Sequence, residues 1–257
     1  MNVVEEPAAR LYRLGKNYFA IRNYEAAQDF LSEAVIGGST AAARLLLQVA
    51  HLFFRHREYA RAEDAFQVLA DRGSGESCLY LGILCRDGLG RRRDLAQAFH
   101  YFNEAYQLGD MRGAMEAGLL IEKEAHFSEE AKQAAIEWLA IASESGLNEA
   151  NRHIGLLLLD NVPAHHAEAM QWFLKGARGG DARCMVYASD LYRNGSGVPR
   201  NEGLAFSLLR RAADMGDMKA CSILGDWYAS GTYVEKDQKM ARMYYRRAGG
   251  ETPAPEQ

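Results

Sequence analysis

The sequence predicts an all-α fold, a right-handed superhelical α-solenoid of about seven helix-turn-helix repeats. Three observations carry that expectation. Glycines recur at Gly38, Gly73, Gly109, Gly146, Gly180 and Gly216, with spacings by subtraction of 35, 36, 37, 34 and 36 residues. Eleven residues before each stands an alanine, Ala27, Ala62, Ala98, Ala135, Ala169 and Ala205, and Ala241 extends the series. Only 5 prolines interrupt a chain rich in Ala, Leu and Arg, which favours helix over sheet.

Each repeat reads as two helices whose small residues let the backbones approach, closed by a glycine suited to a left-handed helix end. The first repeat, residues 1–38, has the small residue of its first helix at Gly15 and continues into "NYEAAQDFLSEAV". The second, 39–73, fits when that position moves three places to Ala50, ahead of "EYARAEDAFQVLA". In both, twelve residues separate the small residue from the alanine of the second helix. The third repeat, 74–109, centres its first helix on Gly82 in "SCLYLGILC", and here the separation is sixteen. In the fourth, 110–146, Gly118 fills the slot, and Ser128 followed by Glu129 and Glu130 predicts a capped helix start after the irregular loop. The fifth, 147–180, has Gly155, a shortened loop "DNVPAHHAE" holding His165, His166 and Glu168, and Gly176 where most repeats carry alanine. The sixth, 181–216, replaces the slot glycine by Ser189. The seventh, 217–250, has Gly225 in "ACSILGDWY" and ends on a hairpin without an obvious polar cap. Residues 251–257 are expected to form a disordered tail.

One such hairpin cannot bury its apolar face alone, whereas stacked hairpins bury a continuous core. The bulk numbers agree with a folded, soluble chain: 48% hydrophobic and 25% charged residues, net charge −4. The acidic balance argues against nucleic acid as a partner. No apolar run is long enough for membrane insertion, and the N-terminus lacks the apolar core of a secretory signal, which predicts a cytoplasmic location. The four cysteines, Cys78, Cys85, Cys184 and Cys221, form no CxxC pair and read as buried small apolar residues.

The third, sixth and seventh repeats carry a sharper signature. "YLGILCRDGLGRRRDLAQAFHYFNEAYQLGD", "YASDLYRNGSGVPRNEGLAFSLLRRAADMGD" and "ILGDWYASGTYVEKDQKMARMYYRRAGG" resemble the Sel1-like repeat of the tetratricopeptide-related α-solenoid superfamily. The matching turn glycines are Gly88, Gly195 and Gly231. The first two repeats are more similar to the tetratricopeptide repeat itself. The resemblance implies a bacterial-type protein-protein interaction scaffold or adaptor whose concave face is lined by the first helix of each hairpin.

On that analogy, positions beside the small residue face a partner. They are His51 and Arg55 in the second repeat, Glu76 and Arg86 in the third, and Arg112 and Lys123 in the fourth. Arg152 follows in the fifth, Arg183, Asp190 and Arg193 in the sixth, and Lys219 and Asp226 in the seventh. Bases outnumber acids there, and arginine grips carboxylates bidentately, so a clamp for the carboxylates of a peptide is expected. Leu79, Ile83, Met115, Leu119 and Leu156 share that side, either as an apolar floor or as packing against the next repeat. No catalytic or metal-binding constellation is legible. "GSGES" at 73–77 lacks the lysine of a phosphate loop and reads as a connector with a helix cap. His51 and His56 miss the helical spacing of a zinc pair, and His100, His126 and His153 stand alone. The expected function is therefore a non-catalytic scaffold for a protein or peptide, without cofactor. An inhibitor or immunity protein capping one effector is the alternative, and an enzyme site assembled across repeats is the alternative of another class.

Overall fold

The computed structural model describes residues 6–124, 128–159 and 163–249, which form fourteen α-helices and no strand. The chain divides into two compact units, Met1–Leu120 and Ile121–Gln257. In the first lie α1 (Pro7–Ala20), α2 (Tyr24–Ile36), α3 (Thr40–Arg55), α4 (Tyr59–Ala70), α5 (Gly75–Asp87) and α6 (Leu95–Gln107). Helix α7 (Arg112–Glu124) begins in the first unit and ends in the second. The second unit continues with α8 (Glu129–Glu144), α9 (Glu149–Leu158), α10 (Pro163–Arg178), α11 (Ala182–Asn194), α12 (Glu202–Asp214), α13 (Met218–Ser230) and α14 (Gln238–Arg247). From α1 to α6 and from α8 to α14, each helix packs on the next in the chain. His126 and the expected tail over 251–257 lie outside the described residues.

The repeated alanines are the tightest points of the structure. All seven, from Ala27 to Ala241, are at most 1% exposed. Four residues further on, a larger side chain crosses to the small residue of the first helix. A methyl group added at Gly82 would sit 2.5 Å from the Phe102 ring, at Gly155 2.5 Å from Phe173, and at Gly225 2.7 Å from Tyr245. These distances are far inside van der Waals contact, so the hairpins close only because one partner has no side chain. Leu31, Phe66, Phe102, Leu139, Phe173 and Leu209 thereby reach full burial at the same repeat position.

Each repeat ends as its closing glycine requires. Gly38, Gly73, Gly109, Gly146, Gly180 and Gly216 have φ between +83° and +96°. The residue after each donates its N–H back to the carbonyl four residues before the glycine, as in Ser39 to Ala34 (2.9 Å), Asp110 to Ala105 (2.9 Å) and Asp217 to Ala212 (3.1 Å). The carbonyls left over at the helix end are thus satisfied. The following helix is then capped by a side chain: Ser74 accepts from the Ser77 N–H at 3.3 Å and Asp217 from the Ala220 N–H at 2.8 Å. "GSGES" is accordingly a connector and a cap.

The separation of twelve or sixteen residues reflects two kinds of turn. In the first two repeats, residues 21–23 and 56–58 join the helices, with Arg22 and Arg57 at positive φ. In the third, sixth and seventh, the longer turns 88–94, 195–201 and 231–237 begin on a left-handed glycine that caps the first helix. Two expectations need correction. His165, His166 and Glu168 belong to the first turns of α10, because a proline at the first helical position presets the backbone for a helix. The last hairpin does carry a polar outer side, since Lys239, Arg242 and Arg246 of α14 are exposed.

Candidate partner-binding face

In the first unit the charged residues of the first helices are joined across repeats. His51 of α3 meets Glu76 of α5, Nε2 to Oε1, at 3.2 Å, and its ring stands edge-on to Tyr80 at 4.6 Å. Glu76 in turn lies 3.7 Å from Arg112 of α7. Arg112 also grips Asp110 bidentately, with Nε donating to Oδ1 at 2.9 Å and Nη2 to Oδ2 at 2.6 Å. Arg86 donates to both oxygens of Asp87, at 2.7 and 2.8 Å, and its Nη1 donates to Glu116 of α7. The Asp87 hydrogen bonds, followed by the Glu116 charge, raise the Arg86 pKa against the cost of desolvation.

The second unit repeats the theme with different residues. Glu122 of α7 lies 2.9 Å from His153 of α9. Arg152 of α9 donates to Asp181, the cap of α11, at 2.6 Å and also to Glu149. That arginine is only 12% exposed and Asp181 only 10%, so the pair is a joint between repeats. Arg193 bonds Asp190 at 3.0 Å within α11, Lys219 of α13 sits over the Tyr187 ring at 5.2 Å, and Asp226 accepts the Tyr245 hydroxyl at 2.8 Å. Burial, then the Asp226 hydrogen bond, push that phenol up to about 12.

Of the residues expected to face a partner, then, His51, Arg86, Arg112, Arg152, Arg193, Asp190 and Asp226 are engaged within the protein. Arg55, Lys123 and Arg183 are exposed. Leu79 and Met115 are buried, while Ile83, Leu119 and Leu156 are half-buried among the first helices.

A further set of contacts between successive repeats, made by the second helices and the turn before α6, escaped sequence reasoning. Arg61 pairs with Glu25 at 2.8 Å, Arg91 with Glu63 at 2.6 Å, and Tyr101 donates its hydroxyl to Gln67 at 3.0 Å. Aligning the second helices on their buried alanine is the one sequence signal that could have found them. Beside these contacts a cleft of about 660 Å³ opens between α4 and α6, lined by Gln67, His100, Tyr101, Glu104 and Gln107.

All four cysteines are free and buried. Burial pushes the Cys184 thiol up to about 12 and that of Cys78 to about 11, far from a reactive thiolate. Among the described residues no three His, Cys, Asp or Glu side chains gather as metal ligands. No helix among them is long and apolar enough to cross a membrane.

A family model of the Sel1 repeat matches residues 75–110, 129–147, 153–181, 182–217 and 219–249. The DAP3-binding cell death enhancer 1 of Rattus norvegicus is 29% identical over 157 residues, 61% of this chain and 31% of that protein. The chain thus spans less than a third of that curated relative's length. Among solved structures, a Sel1 repeat protein from Oxalobacter formigenes has a TM-score of 0.69 at 24% identity, over 91% of this chain and 97% of that one. A protective antigen of uropathogenic Escherichia coli with an SLR fold also reaches 0.69, at 21% identity, over 94% of this chain and 61% of that one. An immunity protein from Pseudomonas aeruginosa reaches 0.52 at 18% identity, over 78% and 80%. These structural likenesses are likenesses of fold.

Proposed function

Since the chain belongs to the Sel1 repeat family, we propose that it is a non-catalytic scaffold binding a protein or peptide on the face lined by its first helices. The observation that carries this reading is the His51–Glu76–Arg112 cluster, which joins three successive first helices while Arg112 stays 47% exposed. An incoming carboxylate has a bidentate guanidinium to meet there, at the cost of exchanging Asp110 or Glu76. Exposed Arg55, Lys123 and Arg183 supply further cations of the same sign. Support of a coarser kind comes from the rat relative, whose name records binding to a protein partner.

The test is capture from a lysate with the native chain beside an Arg55→Glu, Arg112→Glu, Arg183→Glu variant. Arg152 is left untouched because it joins repeats. A partner held by the native chain and lost by the folded variant supports the first-helix face, and a partner retained by both refutes it. A second reading, an inhibitor or immunity protein capping one effector, is favoured by the likeness to the Pseudomonas aeruginosa immunity protein. It predicts a single tight one-to-one complex by sedimentation, where a scaffold gives several weaker ones.

A further inference from the structure

In the first compact unit, the turns inside successive hairpins share one edge. Residues 21–23 join α1 to α2, 56–58 join α3 to α4, and 88–94 join α5 to α6. The first two turns meet at a cleft of about 450 Å³ lined by Ile21, Arg22, Phe53 and Glu58. The third lies against the start of α4, because a methyl group at Gly90 would sit 2.7 Å from the Tyr59 Cβ. Along this edge the turns carry Arg22, Arg57, Arg91, Arg92 and Arg93 against the carboxylates Glu58 and Asp94. The turns at the opposite edge, 37–39, 71–74 and 108–111, carry Arg72 against Asp71 and Asp110. The excess of cations is not a demand of the turn itself. The equivalent turns 195–201 and 231–237 together hold Arg200 and Lys236 against Glu235 and Asp237.

Both carboxylates of this edge are already engaged. Glu58 lies 3.9 Å from Arg61, and Asp94 caps α6 by accepting the Gln97 N–H at 2.9 Å. Arg91 is engaged with Glu63 and Gln97, and Arg93 donates to the Arg86 carbonyl at 3.0 Å. Arg22, Arg57 and Arg92, one from each turn, are exposed and meet no carboxylate among the described residues. Arg22 and Arg57 also sit at φ of 60° and 64°. Among the described residues glycine takes that left-handed region twelve times, and a further side chain only at Tyr233. Beside Arg22, Ile21 is 71% exposed.

We propose that this edge rests on the anionic surface of a lipid bilayer, with Arg22, Arg57 and Arg92 at the headgroups and Ile21 at the boundary of the acyl chains. Cations at the tips of successive turns form a row, and an extended flat surface can touch such a row all at once. The strained backbone at Arg22 and Arg57 keeps two charges where glycine would relieve the fold, and neither charge serves a contact within the protein. Attachment of this kind is peripheral, charge attraction with one apolar side chain added, and needs no spanning helix. An acidic protein segment fits less well. Ile21 is the one large apolar side chain exposed on these turns, and a protein interface needs an apolar centre. A nucleic acid gains nothing from Ile21 and meets a chain whose net charge is −4. This inference does not rest on the first-helix face and survives its failure.

The experiment is cosedimentation of the full chain with vesicles of phosphatidylcholine, alone or mixed with phosphatidylserine. The expected result is binding to the anionic vesicles that weakens as salt rises, and none to the neutral ones. Each arginine neutralised should weaken partition on the order of fivefold, so the Arg22→Gln, Arg57→Gln, Arg92→Gln variant should lose about a hundredfold. The Arg22→Gly, Arg57→Gly variant removes two charges while relaxing the backbone. It should unfold at an equal or higher temperature and still bind about twentyfold more weakly. Arg72→Gln, at the opposite edge, should stay within about twofold of the native chain. Absence of binding, equal binding to neutral vesicles, undiminished binding by the glycine variant, or a comparable loss in Arg72→Gln would overturn the proposal. So would stronger capture of a thymidine oligonucleotide or a poly-glutamate peptide, or release from the vesicles by inorganic phosphate at unchanged ionic strength.

Discussion

Replacing Gly176 by alanine is expected to change sign in its effect on stability depending on residue 184. An alanine Cβ at 176 would lie 2.4 Å from Cys184 Sγ, 3.1 Å from its Cβ and 3.2 Å from Asn151 Cβ. Both 176 and 184 are buried, in α10 and α11, where little room exists to give. Freed of that clash, Gly→Ala inside a helix gains about 0.5–1 kcal/mol. Overpacking a filled core costs about 1–3 kcal/mol, so the net change in the native background is a loss near 1 kcal/mol. With Cys184→Ala made first, the sulfur is gone and the same substitution should gain about 0.5–1 kcal/mol. The double variant recreates the pairs Ala34–Ala42, Ala142–Ala150 and Ala212–Ala220, which stand at the equivalent positions of three other junctions, all fully buried. Urea unfolding of the four proteins, followed by circular dichroism, closes the cycle, with an expected coupling of about 1.5–2 kcal/mol. Gly176→Ala acting alike in both backgrounds would refute the reasoning.

Three further outcomes are expected. Arg152→Ala should cost about 3 kcal/mol in the urea series by leaving Asp181 nearly buried without its cation, while Arg183→Ala stays within about 0.5 kcal/mol; equal losses would remove Arg152 from its role as a joint. Ser189 Oγ is buried without a hydrogen-bond partner, so Ser189→Ala should raise the urea midpoint by about 1 kcal/mol equivalent, and a lowered midpoint would contradict it. Native thiols should resist a disulfide exchange reagent at pH 8 and react on unfolding. The Cys184 pKa is raised from 9.0 to about 12, so below pH 9 both states hold the proton, and above it the unfolded chain releases its proton first. Stability should therefore fall as pH rises from 9 to about 12, and less steeply in Cys184→Ala.

Much of the fold was legible because packing and backbone demands recur in every repeat. Ala27 and its equivalents, and the glycines from Gly38 to Gly216, answer to the same steric condition each time, and periodicity exposes such conditions. What was not legible is whatever depends on two different repeats at once. Arg86 and Glu116 are 30 residues apart, Arg152 and Asp181 29, and His153 and Glu122 31, and each pair is spelled differently. Reading one helix face at a time placed Arg86, Arg112 and Arg152 on a common side, yet gave no sign that carboxylates of the neighbouring helix already meet them. Gly176 stood out as a departure, and only its contact with Cys184 shows that one compensates the other.

The joints between first helices make the repeats interchangeable in outline but not in practice. His51 to Glu76, Arg86 to Glu116, Glu122 to His153 and Arg152 to Asp181 use a different pair of residues at each of these four junctions. A copy duplicated, deleted or moved by recombination would keep its alanines and glycines, fold as a hairpin, and meet a neighbour with the wrong charges. The order of the units is thus written into the protein at these four junctions, so that stretch of the array resists reshuffling although every unit obeys the same steric grammar.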